Sequence, residues 1–327
     1  MVTAEPFEIL CEHTSGPPGV VTVVLDQPGR PVVVLDRDLI ARLAVTLDAV
    51  PRDATGLILA SASTRSFVAG ADLTSIRAED EGGLSDSDLH AYLEHGASVF
   101  AKLLSMPFPT AAAINGATLG GGLELALHCD GLIGAPPPDR DGRPGKPYPV
   151  GLPEAGLRIC PGWGGTNLLP ARTAPADAIR RTATGTAWTY PEAVDARLFD
   201  AVADDAASLR RTAAAWLASQ SWTDRHDRPA RWVGTQGGAV MQALDQVRME
   251  FEPDDEPAQA VFEAIDAGLA RGWPDALDTE RARLVELRSR PTGRAAIAGF
   301  LDRPKKTKNP TEPQKQPQTP KHPTSTG

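Results

Sequence analysis

The sequence predicts an α/β fold that gives way to helices in its last third. Short β-branched runs alternate with helical-period segments through the first half, glycine-rich turns end those runs, and strand signals stop near Asp205.

Residues Gly19 to Leu25 form a mostly apolar run that Gln27-Pro28-Gly29 terminates. Pro31 to Leu35 is a second run after that turn, so the two are predicted as neighbouring strands. Asp36 caps a segment in which Leu39, Ile40, Leu43, Leu47 and Val50 recur at helical spacing, and Pro51 closes it. A further strand is expected at Gly56 to Ala60. The alternation then repeats: Asp86 or Ser87 opens a helix with Leu89, Tyr92, Leu93, Phe100 and Leu103 on one face, and the strand-like run Ala111 to Ile114 follows Pro107. From about Asp205, Ala, Arg, Asp and Leu dominate, which predicts helices to about Leu301. The expected organisation is a core over residues 1–205, a helical region over 206–302 and a tail over 303–327. That tail is rich in Pro, Lys, Thr and Gln and has almost nothing to bury, so it is expected to be disordered.

A net charge of -9 argues against nucleic acid or an anionic membrane as a general partner and favours small molecules. Cys11, Cys129 and Cys160 are far apart and have no histidines at metal spacing, so neither a disulfide framework nor a metal site is expected. The stretch Met1 to Glu12 lacks a basic region followed by an apolar run, and nowhere do 18 apolar residues run together. No membrane span and a cytoplasmic location are the corresponding expectations.

Three segments carry chemistry. Ser66-Phe67-Val68-Ala69-Gly70-Ala71-Asp72-Leu73 places small residues after a strand, where backbone amides can approach a ligand, although a plain strand-to-helix turn looks the same. Ala117 to Leu127 contains Gly120-Gly121-Gly122 opening a strongly apolar helix, whose free N–H groups suit an anion or a developing oxyanion. Leucine on both sides of Glu124 predicts that this carboxyl is buried, with its pKa raised toward the range useful for proton transfer. Gly151 to Thr166 sets a second carboxyl, Glu154, ahead of another glycine-rich turn. Taken singly, Glu154 is an ordinary first-turn helix glutamate; the two together suggest acid/base work on a bound ligand. His128 shares a helical face with Glu124 and is a weaker candidate base, since such a residue is more often a hydrogen-bonded core histidine. The triplet has neither Gly-x-Gly-x-x-Gly spacing nor a following Gly-Lys-Ser/Thr, which excludes both nucleotide-binding readings. No Gly-x-Ser-x-Gly elbow supplies a serine nucleophile.

In this order the three segments resemble the crotonase, or enoyl-CoA hydratase/isomerase, superfamily over roughly residues 18–205. The pieces Leu152-Pro153-Glu154 and Pro161-Gly162-Trp163-Gly164-Gly165 look most like the hydratase domain of the multifunctional fatty acid oxidation α subunit, and Gly293 to Leu301 resembles its linker helix. The resemblance implies a spiral of repeated ββα units followed by a helical C-terminal region. It implies that the amides of Ala71 and Gly121 form an oxyanion hole. Addition at C3 of a 2-enoyl thioester pushes charge onto the carbonyl oxygen, and one such donor is typically worth about 3 kcal/mol. Glu124 and Glu154 match the family's two glutamates, which hold one water between them: Glu154 would protonate C2 while Glu124 orients and activates the water. Ala69, Asp72, Leu73 and Gly162 would line the coenzyme A site.

The implied function is an enoyl-CoA hydratase giving 3-hydroxyacyl-CoA in fatty acid β-oxidation. Enoyl-CoA isomerisation, another crotonase reaction and a noncatalytic CoA-binding module stay open as alternatives. No metal or redox cofactor is implied, coenzyme A being part of the substrate. A homo-oligomer, or a complex with a separate dehydrogenase or thiolase, is the expected assembly. One departure stands out: Pro136 to Pro149 lengthens the interval between the two glutamates beyond the family's usual spacing, and is expected to loop outward.

Overall fold

The structure, a computed structural model, describes residues 4–11, 19–139, 143–220 and 229–303. Its first half runs β1 (Glu8–Cys11), β2 (Val20–Leu25), α1 (Arg37–Ala49), β3 (Gly56–Ser61), β4 (Ser66–Val68), α2 (Leu73–Ile76), α3 (Asp86–Leu104), β5 (Thr110–Ile114), β6 (Ala117–Leu119), α4 (Gly121–Leu127), β7 (Gly131–Gly134) and β8 (Pro149–Gly151). After these come α5 (Gly165–Leu168), α6 (Pro175–Thr184), β9 (Trp188–Thr189), α7 (Tyr190–Asp195) and β10 (Ala201–Val202). The remaining elements described are helices: α8 (Leu209–Ala218), α9 (Gly237–Arg248), α10 (Glu256–Arg271), α11 (Trp273–Ser289) and α12 (Pro291–Leu301). None of the described helices is long and apolar enough to cross a membrane.

The strands sort into a six-stranded sheet ordered β1-β2-β3-β5-β7-β10 and a four-stranded sheet ordered β4-β6-β8-β9. All neighbours are parallel except the β1–β2 pair and the β8–β9 pair. Successive pairs β3–β4, β5–β6 and β7–β8 therefore each step from the large sheet to the small one before the next helix, which makes the spiral of ββα turns. The large sheet is buried on both faces, as a parallel sheet must be, and β5 reads as an unbroken buried run, Thr110-Ala111-Ala112-Ala113-Ile114. On one face α8 covers it through Leu209, Ala213 and Leu217 against Ile58, Ala111, Ala113 and Ile133. The main core fills the other.

One predicted element differs. Pro31 to Leu35 is not a strand beside β2; its only pairing among the described residues is an isolated bridge from Leu35 to Ala71. Its amides are taken up piecemeal, by the Ser66 hydroxyl at Val33 and the Gln27 side chain at Val34, so no ladder forms. In the spiral it occupies the place of the first turn's second strand. The α3 helix opens at Asp86, one of the two predicted starts, and is capped by the Ser85 side chain accepting from Asp88 N–H. The 136–149 stretch is an irregular, mostly exposed loop where described, tied down by buried Tyr148, whose hydroxyl donates to Ala135 O at 2.6 Å. The predicted tail, apart from Arg303, lies outside the described residues.

The helical region is latched to the core by Arg288. Its guanidinium is 1% exposed and donates to the carbonyls of Ile76, Arg77 and Leu84 and to Asp86, holding the loop between α2 and α3 from α11. At the surface Arg294 of α12 pairs with Asp80 and Glu81 of that loop. Replacing Arg288 by Met keeps much of the packing but strands three carbonyls, so Arg288→Met is expected to cost on the order of 3 kcal/mol of stability. Urea denaturation checks this, and an unchanged midpoint would contradict it.

Candidate active site

Because β4, β6 and β8 are parallel neighbours, the residues after each strand are delivered to one edge of the small sheet. These are Ala69 to Leu73, Gly120 to Gly122 and Leu152 to Glu154, the three segments that the sequence singles out. Each glycine of the triplet is there for its own reason. Gly120 has φ +51° and lies against the Glu154 carboxylate, where a Cβ would overlap Oε1. A Cβ on Gly121 would strike the Trp163 ring, and one on Gly122 would strike Val68 O, so α4 seats directly against the end of β4.

Glu124, in the first turn of α4, is 1% exposed, as leucine on both sides requires. Its Oε1 accepts from Trp163 N–H at 2.7 Å and from Gly165 N–H at 2.8 Å. Glu154 begins a 3-10 turn, Glu154–Leu157, directly after β8. Part of the residue reaches solvent, yet its Oε2 is sealed off and has no hydrogen-bond partner among the described residues. A buried carboxyl oxygen without a donor favours the protonated form.

A third buried carboxyl faces the same turn. Glu280 of α11 is fully buried and accepts from Gly164 N–H, from Thr166 N–H at 2.9 Å and from the Thr166 hydroxyl. Burial, then the negative charges of Glu280 and Glu154, push the Glu124 pKa well above the usual carboxylate range, against the pull of the Gly165 and Trp163 amides. Burial, with Glu280 adding to it, pushes Glu154 up to about 8 against the pull of its own backbone N–H. Glu280 is raised by burial to about 6, its three donors holding it lower than its burial alone would.

Sequence reasoning missed Glu280 because α11 is densely charged. The one available signal is spacing: Trp273, Ala276, Glu280, Leu284 and Leu287 fall three or four residues apart on one buried face. It also missed Trp163, whose indole N–H donates to Leu93 O at 2.8 Å while its ring packs edge-on to Tyr92 and fills the space beneath Gly121.

The other predicted positions fall as follows. Around Ala71, the bonds Leu35 N–H to Gly70 O and Asp72 N–H to Leu35 O use its neighbours and leave the Ala71 N–H without an acceptor among the described residues. Gly121 is the first residue of α4, so its N–H has no acceptor within the helix. The Ala69 N–H is committed to Val33 O, and the Asp72 carboxylate caps α2 by accepting from Thr74 and Ser75. Leu73 packs half-buried on the core. Gly162 is buried against Leu93 and Leu284, apolar surroundings in which it serves to seat the turn that follows. His128 is a core histidine: its Nδ1 lies 2.8 Å from Glu124 O, Phe100 and Trp273 pack edge-on to it, and burial pushes its pKa down to about 4. Cys129 and Cys160 are buried and not joined in a disulfide.

Comparison with known proteins identifies the family and the fold. A family model described as enoyl-CoA hydratase/isomerase matches residues 16–228. The chain is 28% identical over 284 residues to the fatty acid oxidation complex subunit alpha of Shewanella halifaxensis, a match covering 82% of this chain but 37% of that relative. Among solved structures it resembles an enoyl-CoA hydratase from Bacillus anthracis, with 25% identity and a TM-score of 0.54 over 84% of this chain and 88% of the other. The fold also matches human mitochondrial delta3-delta2-enoyl-CoA isomerase, at 22% identity and a TM-score of 0.61 over 90% of this chain and 97% of the other.

The raised carboxyls bind protons more tightly in the folded chain than in the unfolded one, where the ordinary value is 4.5. Stability from this source is therefore complete below about pH 4.5 and is lost as pH rises through about 6 for Glu280 and about 8 for Glu154. Glu154→Gln removes the second loss, so its melting temperature is expected to match wild type in acid and to exceed it increasingly toward about pH 9. Thermal denaturation across that range decides the point; an advantage that is largest in acid would reverse the sign and refute it.

Proposed function

Because the chain belongs to the enoyl-CoA hydratase/isomerase family, we propose that it is an enoyl-CoA hydratase, adding water to a 2-enoyl-CoA to give a 3-hydroxyacyl-CoA. The observation that carries this reading is the pair of buried carboxyls at adjoining strand ends, Glu124 after β6 and Glu154 after β8, both with raised proton affinity. Isomerisation needs one group to move a proton between C2 and C4; hydration needs one carboxyl to deliver a proton and another to receive one.

The division of labour follows from the surroundings. Glu154 holds its proton at neutral pH and gives it to C2. Glu124 is the accepting member of the pair: the Trp163 and Gly165 amides stabilise its ionised form against the burial and neighbouring charges that raise its proton affinity. Both amides grip Oε1, so Oε2 is the oxygen available to orient a water and take its proton as the water oxygen bonds to C3. The proton gained by Glu124 returns to Glu154 through the next water, which restores the pair. The Ala71 and Gly121 N–H groups would stabilise charge on the thioester oxygen, and no metal or redox group is required. The Ala69 to Leu73 segment and the buried Gly162 would border the coenzyme A portion. The named relative belongs to a fatty acid oxidation complex, which supports placing the reaction in β-oxidation.

Loss of enoyl absorbance with crotonyl-CoA and longer 2-enoyl-CoAs tests the reading. Wild type is expected to be active, with a basic limb near pH 8 as Glu154 loses its proton. Glu124→Gln and Glu154→Gln are each expected to lose about 10² to 10⁴-fold in kcat. Undiminished variants would sink the two-carboxyl mechanism, and a wild type that converts 3-enoyl-CoA to 2-enoyl-CoA without hydrating it would assign isomerisation instead.

A further inference from the structure

The turn that holds Glu124 has four successive backbone N–H groups in a buried setting, and they alternate between two acceptors. Trp163 and Gly165 donate to Glu124, while Gly164 and Thr166 donate to Glu280. Either carboxyl alone would leave two buried N–H groups without partners, a state the backbone avoids by turning elsewhere. We propose that Glu280 is a positioning residue of the acid/base pair: reaching in from α11, it fixes the Trp163–Thr166 turn so that the Trp163 and Gly165 amides stay aimed at Glu124. This inference rests on the two-glutamate reading of the site.

Two further observations support it. Glu280 is fully buried, and no salt bridge among the described residues neutralises it; its neighbour Arg281 pairs with Asp278 instead. A role in packing alone is better served by an apolar residue, since an unpaired buried carboxylate is costly. The groups facing Glu280 are also those of the site: Glu124 from α4, Glu154 from the 3-10 turn after β8, the Cys160 thiol ahead of the glycine turn, and the uncharged Thr166 of α5, with Arg281 beside it on its own helix. Its charge raises the proton affinity of both Glu124 and Glu154, so it influences when the pair titrates as well as where it sits.

The test compares Glu280→Gln with Glu280→Asp. Glutamine presents an NH2 where one oxygen accepted, which sets donor against donor at Gly164 or Thr166 and also removes the charge. Its kcat is expected to fall roughly a hundred-fold, the scale of a misplaced catalytic group, with KM for the enoyl-CoA changed little and both limbs of the pH profile moved to lower pH. Aspartate keeps the charge on a shorter arm, so the limbs are expected to stay near those of wild type while kcat recovers in part. A folded Glu280→Gln with wild-type kcat and unmoved limbs overturns the proposal. Should that variant fail to fold, Thr166→Ala, which removes the hydroxyl donor to Glu280 along with the acceptor of one Asn167 amide bond, is expected to move kcat and the limbs in the same direction by less, and no movement overturns the proposal equally. A wild type that hydrates nothing refutes the hydratase reading and leaves Glu280 to be judged by infrared titration of the protonated carboxyl band: a midpoint lowered in Glu280→Gln supports the proposal, and an unchanged one overturns it.

Discussion

Four consecutive amides shared between two buried carboxyls, Glu124 and Glu280, are the constraint on which the rest of the site depends. To offer all four N–H groups, the turn passes through Gly164 at φ +99°, where a Cβ would overlap Trp273, and through Gly165, whose Cβ would crowd Glu124. Trp163, at the start of the turn, is locked by its indole bond to Leu93 of α3 and by contact with Gly121 of α4. Gly121 in turn opens the helix that carries Glu124. The position of the carboxyl, the free N–H of Gly121 and the approach of α3 are thus parts of one packing solution.

Small residues elsewhere extend the same logic. A spiral that returns three strands to one sheet edge brings three backbones together there, which requires chain segments without bulk. Gly122 lies on Val68 O and Gly120 on the Glu154 carboxyl. On the far side, Gly268 of α10 lies where any side chain would overlap Asn167 of α5, whose amide donates to Ala264 O, so α10 sits tightly against the turn's own helix. Rigidity at the site comes from this close approach of backbones, supplemented by the buried side chains that fill the spaces between them.

How much of this was legible in the sequence depends on whether the cause was local. The α1 helix was, because Asp36 accepts from Leu39 N–H and the apolar positions repeat at helical spacing within the same segment. Burial of Glu124 was legible for the same reason, its flanking leucines being adjacent in sequence. Pro31 to Leu35 misled because three consecutive valines favour a strand, whereas the partners that break the ladder, Gln27 and Ser66, act through side chains from elsewhere in the chain. Strands of three residues such as β4, β6 and β8 are too short to show a period, so the edge that assembles the site could be inferred only through resemblance to a family. Glu280 looked like a surface charge because the partners that make it special lie more than a hundred residues away.

Three buried carboxyls so close together work against stability as soon as any of them ionises, and the rest of the fold has to supply the difference. Some of that comes from donors matched to charge: two amides on Glu124, and two amides and a hydroxyl on Glu280. The attachment of the helical region adds to it, where Arg288, buried beside the same helix face, carries a positive charge into backbone carbonyls of the α2–α3 loop. One helix, α11, thus adds a buried negative group to the site and a buried positive one to the core that surrounds it. The change in composition near Asp205 marks a change in texture along the chain, yet the candidate site crosses it, because the turn whose amides hold Glu124 is only half satisfied until α11 is in place.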